Sequence, residues 1–236
     1  MFIKSIVNSI IQKAVYRYRA DSESYVQYLK RIGADIGEDV LFYSPNTSYV
    51  DIQNPHLLKI GNSVHISSGV NIVTHDFSWA VLKKVYGEVL GAQGEVSIGN
   101  NCFIGVNSTV LRNTSIGDNV IIGANSVVHG SIPSNSVVCG NPARVIMSLE
   151  DFYMKRKGLQ SEEAINVTRK YKERFGRNPD INVLSEYFWE FTNNPEDLTE
   201  KCIMQMKNCN NYDESMKAFV SHKPKYDGIQ DLLDSI

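Results

Sequence analysis

Histidine and cysteine are the side chains best able to do chemistry near neutral pH, and here their spacing sorts them. The five histidines are His56, His65, His75, His129 and His222. The four cysteines are Cys102, Cys139, Cys202 and Cys209; none forms a CxxC pair, and no histidine stands beside them at zinc-finger spacing. That leaves proton transfer. A neutral imidazole can take the proton of a weakly nucleophilic hydroxyl as its oxygen attacks a carbonyl. His75 is followed by Asp76, Phe77 and Trp79, so a carboxylate and two aromatic rings lie within four positions of one imidazole. Taken alone, a single histidine is more often structural than catalytic, and its place in the fold must decide.

The elements around His75 are set by a repeat. From Ile98 an aliphatic residue returns every sixth position: Ile98, Ile104, Val110, Ile116, Ile122 and Val128. Glycine follows at Gly99, Gly105, Gly117 and Gly123. An earlier block, Ile36, Phe42, Ile60, Ile66 and Ile72, runs in its own six-residue frame, broken where Ser48 and Asn54 occupy frame positions. A period of six fits neither an α-helix nor a regular hairpin meander. It fits a solenoid of short parallel strands, with the aliphatic residue inward and Gly or Asn at corners that need positive φ. Three hexads make one triangular coil, so the two blocks give about four to five coils. Between the blocks the frame slips, so residues 77–96 must loop out of the solenoid, and His75 stands where the repeat stops. Long loops on rigid scaffolds are frequent sites of function.

The flanks read differently. Residues 1–33 are predicted helical, with Ile3, Ile6, Ile10, Ala14 and Tyr18 as an apolar stripe and a second helix from Ser22 to Ile32 ending at Gly33. Lys4, Lys13, Arg17 and Arg19 make the first stretch basic. Packing against the solenoid or a neighbouring subunit is favoured there over contact with a membrane surface. Beyond Ile146 the repeat ends and a helical extension, 147–236, follows. Its first helix is predicted from Ser148–Asp151 to Gly176, with shorter helices around Ile181–Phe191, Leu198–Met206 and Ile229–Leu233. The organisation expected is therefore a helical segment 1–33, a β-helix 34–146 and a helical extension.

Composition bounds the function. The 236 residues are 42% hydrophobic and 21% charged with a net charge of -2, which excludes global disorder and argues against a dedicated nucleic-acid binder. No apolar run reaches membrane-span length, and basic residues interrupt the N-terminal apolar stretch, unlike a signal peptide. With thiols expected to be free, a cytoplasmic enzyme fits.

The six-residue pattern resembles the hexapeptide-repeat proteins, whose fold is a left-handed parallel β-helix. The likeness sharpens at GVNIVTHDFSW (69–79) and at IGNNCFIGVNSTVL, TSIGDNVIIGANSVV and IPSNSVVCGNPARVI within 98–146. These stretches look like the galactoside, maltose and xenobiotic O-acetyltransferase branch, and HDFSW with the Asn-Pro-Ala-Arg ending looks like acetyltransferases of bacterial surface-polysaccharide clusters. The resemblance implies transfer of an acetyl group from acetyl-CoA to a carbohydrate hydroxyl, with His75 as general base and no metal. It implies acceptor contacts from Asp51, with Asn46 near it, and from Phe103; from their own chemistry Asp76 either bonds within the loop or orients His75 or a sugar hydroxyl, and Trp79 with Phe77 either stacks on a sugar face or anchors the loop. It places the CoA arm along Val106 and Ala124, with His129 in the same set and Arg144 reaching toward the CoA phosphates. His129 and Gly130 stand where relatives carry Thr-Lys, and Val106 where they carry a small or polar residue. It also implies a homotrimer with its active sites between subunits.

Three rival readings follow from the same residues. Zinc-dependent carbonic anhydrases on this solenoid need a His-x4-His pair, and no two histidines here are five apart. A non-catalytic scaffold would leave His75, its loop and Arg144 without a purpose. An N-acetyltransferase acting on an amino sugar keeps the fold and donor, but such enzymes often carry an extra N-terminal domain, for which there is no room before Ile36.

Overall fold

The computed structural model describes residues 14–236; Ile3, Ile6 and Ile10 of the expected N-terminal stripe lie outside the described residues. The chain divides into two compact units, one ending at Phe152 and one running over Tyr153–Ile236.

The first unit is a parallel β-helix whose rungs follow the six-residue period. Its coils have three straight sides. On the first side Ile36, Ile60, Ile98, Ile116 and Ile132 stack in register. On the second, Phe42, Ile66, Ile104, Ile122 and Val138 stack. On the third, Val50, Ile72, Val110 and Val128 stack. All these side chains are buried and form one core. Most strands are only two or three residues long, so stability must come from rung-on-rung burial. The outward neighbours differ between sides. The first side presents Asp35, Lys59, Ser97, Ser115 and Ser131, whereas the second presents Leu41, His65, Phe103, Ile121 and Val137.

The corners account for the asparagines and glycines. Asn101, Asn107, Asn113, Asn119, Asn125 and Asn135 all have positive φ, a conformation Asn tolerates better than most residues. Between the first and second sides they form a ladder: Asn101 Nδ2 donates to Asn119 Oδ1, and Asn119 Nδ2 to Asn135 Oδ1, each at 2.9 Å. At the next corner Gly105 has a steric role, because a Cβ there would lie 2.6 Å from the backbone nitrogen of Ala124. The last coil is closed by Ala143–Ser148, which turns back antiparallel to Ser136–Gly140.

Helix α1 (Ser22–Arg31) covers the opening coil. Asp21 caps it by accepting from the Ser24 amide at 2.8 Å, and Gly33 follows with φ +106°. Its apolar side buries Tyr25 and Leu29, with Tyr25 edge-on to Phe42 at 4.9 Å. The end of the core is thereby shielded from water, as a solenoid's terminal coil requires.

The excursion between the blocks is more ordered than a loop. His75–Asp76 pairs antiparallel with Ala92–Gln93, and helix α2 (Trp79–Tyr86) fills the tip. Ser78 donates its amide to Asp76 Oδ1 at 2.9 Å to start that helix, and Gly87 with φ +85° ends it.

The second unit is helical. Helix α3 (Leu149–Phe175) starts at the Ser148–Asp151 capping pair, where the Asp151 amide donates to Ser148 Oγ at 3.0 Å, and ends at Gly176. Helices α4 (Glu200–Met206), α5 (Tyr212–Ser221) and α6 (Gly228–Asp234) follow. Ala164, Leu184, Phe188, Phe191, Cys202, Met206, Phe219 and Leu232 form their core. The helix expected over Ile181–Phe191 is instead a run of turns with one 3-10 turn, Phe188–Glu190. Asn, Ser, Tyr, Phe and Trp are weak helix formers, and burial of Leu184, Phe188 and Phe191 holds the turns in place. Helix α5 was not expected from the sequence. No described helix is long and apolar enough to cross a membrane.

Candidate active site

The corner that leads from the third side of one coil to the first side of the next gathers the reactive side chains. Backbone hydrogen bonds fix its register: the Asp51 amide donates to Ile72 O and the Val73 amide to Val110 O, both at 2.9 Å. Asp51, Thr74–His75, Arg112 and His129 therefore belong to successive coils along one edge. In the first coil eight residues, not six, separate the inward Phe42 and Val50. That insertion puts Val50 into the core and leaves Asp51 at the corner, opposite the residues that precede the hairpin.

His75 Nδ1 is hydrogen-bonded to Asp51 Oδ2. Asp51 is 1% exposed and its other partners are all donors. Thr74 Oγ1 donates to Oδ2 at 2.6 Å, the Thr74 amide to Oδ2 at 3.1 Å and the Gln53 amide to Oδ1 at 3.0 Å. Burial by itself would raise the carboxyl's pKa. The donors outweigh it, Thr74 hydroxyl first, then the Gln53 amide, His75 and the Thr74 amide, and the net shift is downward. Asp51 is thus held ionised, and a carboxylate at Nδ1 selects the tautomer with its proton there. In the neutral ring that tautomer leaves the lone pair on Nε2, which makes no hydrogen bond to the described residues. The imidazole is edge-on to Phe77 at 4.8 Å, and Phe77 is edge-on to Trp79 at 6.0 Å.

The expected acceptor residues are distributed otherwise. Asp51 is 1% exposed, and its carboxylate is engaged by the Thr74, Gln53 and His75 donors. Asp76 adjoins His75 in sequence yet turns away from it, taking the Ser78 amide on one oxygen and Arg112 Nε on the other at 2.9 Å. Hydrogen bonds from Ser78 and Arg112 hold its pKa down at about 2. Trp79 is half-buried at the start of α2, beside the exposed Phe77. Phe103, 39% exposed, lies on the outward row of the second side, the side opposite His75's edge within one chain.

The residues expected along CoA also separate. Val106 and Ala124 are stacked at the corner between the second and third sides, where the Asn125 amide donates to Val106 O at 2.8 Å. Arg144 lies opposite Cys139, which follows the second side toward that same corner, and its guanidinium donates to Ala143 O at 2.7 Å. His129 is on the other edge, the one that carries His75. The buried Cys102 is chemically quiet: burial pushes its thiol up to about 11, and Sγ donates to Gly117 O at 3.2 Å.

Two residues of the His75 corner were missed in the sequence, Thr74 and Arg112. Thr74 lies within the stretch 69–79 but was not singled out there, Arg112 lies in none of the stretches that carry the resemblance, and both meet their carboxylate partners only through coil stacking.

Known proteins bear on the chain at this point. Residues 95–130 match the bacterial transferase hexapeptide (six repeats) family model. The chain is 39% identical over 153 residues to protein CapG of Staphylococcus aureus, covering 61% of this chain and 88% of that protein. It is 35% identical over 124 residues to the "Putative lipopolysaccharide biosynthesis O-acetyl transferase WbbJ" of Escherichia coli K12, covering 47% of this chain and 61% of that one. A solved maltose O-acetyltransferase from Clostridium difficile 630 aligns with 53% of this chain and 75% of its own, at 27% identity and a TM-score of 0.38. With the rung pattern in register and most of a relative's length matched, the chain belongs to the hexapeptide-repeat acetyltransferase family.

Proposed function

We propose that this acetyltransferase moves the acetyl group of acetyl-CoA to a hydroxyl of a carbohydrate acceptor, with His75 as general base. The observation that carries the reading is the buried, ionised Asp51 on His75 Nδ1, which leaves Nε2 as the basic nitrogen. Nε2 takes the proton of the acceptor hydroxyl as its oxygen bonds to the thioester carbonyl carbon. The tetrahedral adduct then collapses, the C–S bond breaks, and the departing thiolate takes the proton back from the imidazolium. Asp51 stays ionised throughout and offsets the transient positive charge. The aromatic pair Phe77 and Trp79, beside the imidazole, suits the apolar face of a sugar ring.

The donor's extended arm fits the corner of Val106 and Ala124. Ala124 is small there, and the backbone of successive coils is so close that Gly105 could not carry a Cβ without a clash. Arg144, with its side chain exposed at the end of that corner, supplies a guanidinium for phosphate. Within one chain this corner and the His75 edge are different edges of the prism. A ring of three copies, each lending one edge to its neighbour's other edge, unites them. The partly exposed apolar residues on the outward row of the second side (Leu41, Phe103, Ile121) support such burial, whereas the charged and serine-rich first side does not. We read the coil as left-handed and the enzyme as cytoplasmic on the same footing.

Thiol release from acetyl-CoA with a panel of mono- and disaccharides, run beside His75→Ala, tests the activity. Release that some sugar elicits and the variant loses is the expected result. A His75→Ala protein with unchanged turnover overturns the assignment. A monomer in sedimentation at micromolar concentration would overturn the shared site.

A further inference from the structure

We infer that Thr74 is a positioning residue of this site: its hydroxyl and amide together hold Asp51 in the orientation that fixes the tautomer of His75. The inference deepens the reading of His75 as base and rests on it for its consequence in catalysis. Thr74 is fully buried, and three of its groups are committed. Oγ1 and the amide both donate to Asp51 Oδ2, and its carbonyl accepts from the Gly94 amide at 2.8 Å, where the chain re-enters the coil after the hairpin. Its neighbour His75 begins the hairpin and pairs with Gln93. Thr74 is thus tied on one side to the carboxylate and on the other to the returning strand of the hairpin.

The hydroxyl matters for a geometric reason. Oδ2 of Asp51 receives Thr74 Oγ1, the Thr74 amide and His75 Nδ1, so a single oxygen is oriented by donors from two consecutive residues. At 1% exposure no bulk water replaces a lost donor. With the hydroxyl removed, the carboxylate loses its 2.6 Å donor and keeps two backbone anchors, the Thr74 amide on Oδ2 and the Gln53 amide on Oδ1, so Oδ2 is held less tightly toward Nδ1. The imidazole then loses a fixed acceptor at Nδ1, and an unheld neutral imidazole populates both tautomers. In the wrong tautomer Nε2 carries the proton and cannot serve as base. The other charged groups at this corner, Asp76 and Arg112, are paired with each other and give His75 no substitute acceptor.

The test compares Thr74→Val, which keeps the shape and deletes the hydroxyl, with Thr74→Ser, which keeps the hydroxyl. The first readout needs no acceptor: histidine-labelled protein is examined by long-range 1H–15N spectra, with His75 assigned by its loss in His75→Ala. A single Nδ1–H pattern is expected in the parent and in Thr74→Ser, and averaged Nδ1 and Nε2 shifts in Thr74→Val. The second readout is turnover with acetyl-CoA and the best sugar of the panel. There kcat of Thr74→Val should fall roughly 10–100-fold with KM little changed, the size of effect usual for groups that orient a reactive side chain, and Ser should restore most of it. A Thr74→Val protein whose His75 spectrum matches the parent overturns the inference. So does equal damage by Val and Ser, which would make the role one of packing. Should Val not fold, Thr74→Ala takes its place with the same expectations. Loss of the inference leaves His75→Ala inactive; loss of the functional reading leaves His75→Ala active whatever Thr74 does to the spectrum.

Discussion

Two stretches of the β-helix obey opposite rules. From Val96 to Val138 the six-residue frame runs with little interruption, each inward aliphatic stacks on the same position of the coil before it, and asparagines repeat at one corner. From Phe42 to Val96 the frame is broken three times: eight residues from Phe42 to Val50, ten from Val50 to Ile60, and the hairpin excursion after Ile72. The core survives these breaks because Val50, Ile60, Ile72 and Ile98 still land in the rungs. The side chains freed at the breaks do not face the core; they meet each other. Regular coils make the scaffold, and departures from regularity bring Asp51, Thr74 and His75 together.

The sharpest way to break this contrast is a pair of truncations. His75→Ala, in the irregular stretch, should cost roughly 10²–10⁴-fold in kcat and leave the melting transition nearly in place. Ile104→Ala, in the regular stretch, should cost about 2–5 kcal/mol of stability in chemical denaturation, with the activity per folded molecule retained. If Ile104→Ala instead damages turnover in well-folded protein, the division of labour fails.

A smaller effect separates the two carboxylates near His75. Asp51→Asn should lower kcat by about 10–100-fold, because an amide cannot serve the Thr74 donors and Nδ1–H as well. Asp76→Asn should leave kcat within a few-fold, measured in the same thiol-release assay. Equal losses would mean that Asp76 has a role its contacts with Ser78 and Arg112 do not explain.

The corner ladder offers a milder probe of the regular stretch. Asn119→Ala removes two side-chain hydrogen bonds and puts alanine at φ +57°, and about 1–3 kcal/mol of stability should go. Denaturant midpoints of this variant beside Asn113→Ala, whose side chain is outside the ladder, isolate the ladder's share.

Acid should act most gently and on the irregular stretch. Asp76 has a folded pKa of about 2 against an ordinary value of 3.8. A depressed carboxyl contributes stability that is fully present above its unfolded pKa and is lost as pH falls through the folded one. Asp51 is shifted the same way. Protection of the His75–Gln93 hairpin base, followed by amide exchange, should therefore hold above pH 4 and decline between pH 4 and 2, and Asp76→Asn should flatten that decline. A decline already complete at pH 5 would contradict both shifts.

Much of the first unit could be read directly from residue types. The inward positions Ile98 to Val128, the Gly and Asn corners, the helix ending at Gly33 and the cap at Ser148–Asp151 depend on spacing of at most a few residues, and such spacing is visible in a string. The hairpin was visible only as a slip in the frame, and its helix α2, with no buried residue, left no strong pattern. In the second unit no period survives, so turns at Ile181–Phe191 and the unexpected α5 depended on which apolar residues found each other.

The site was legible to a lesser degree. His75 could be singled out because it stands where the repeat stops, but the function of its neighbours could not be assigned from adjacency. Asp76 is the next residue and points elsewhere, whereas Asp51, 24 positions earlier, is the partner. The sequence by itself determined the rungs and the corners, because a six-residue period is a local property that any three coils will express. Only the tertiary structure decided that Asp51, Thr74 and His75 form one hydrogen-bonded group. That choice depends on how far two inserted residues shift one coil against the next, and stacking register is set by the whole column of buried side chains.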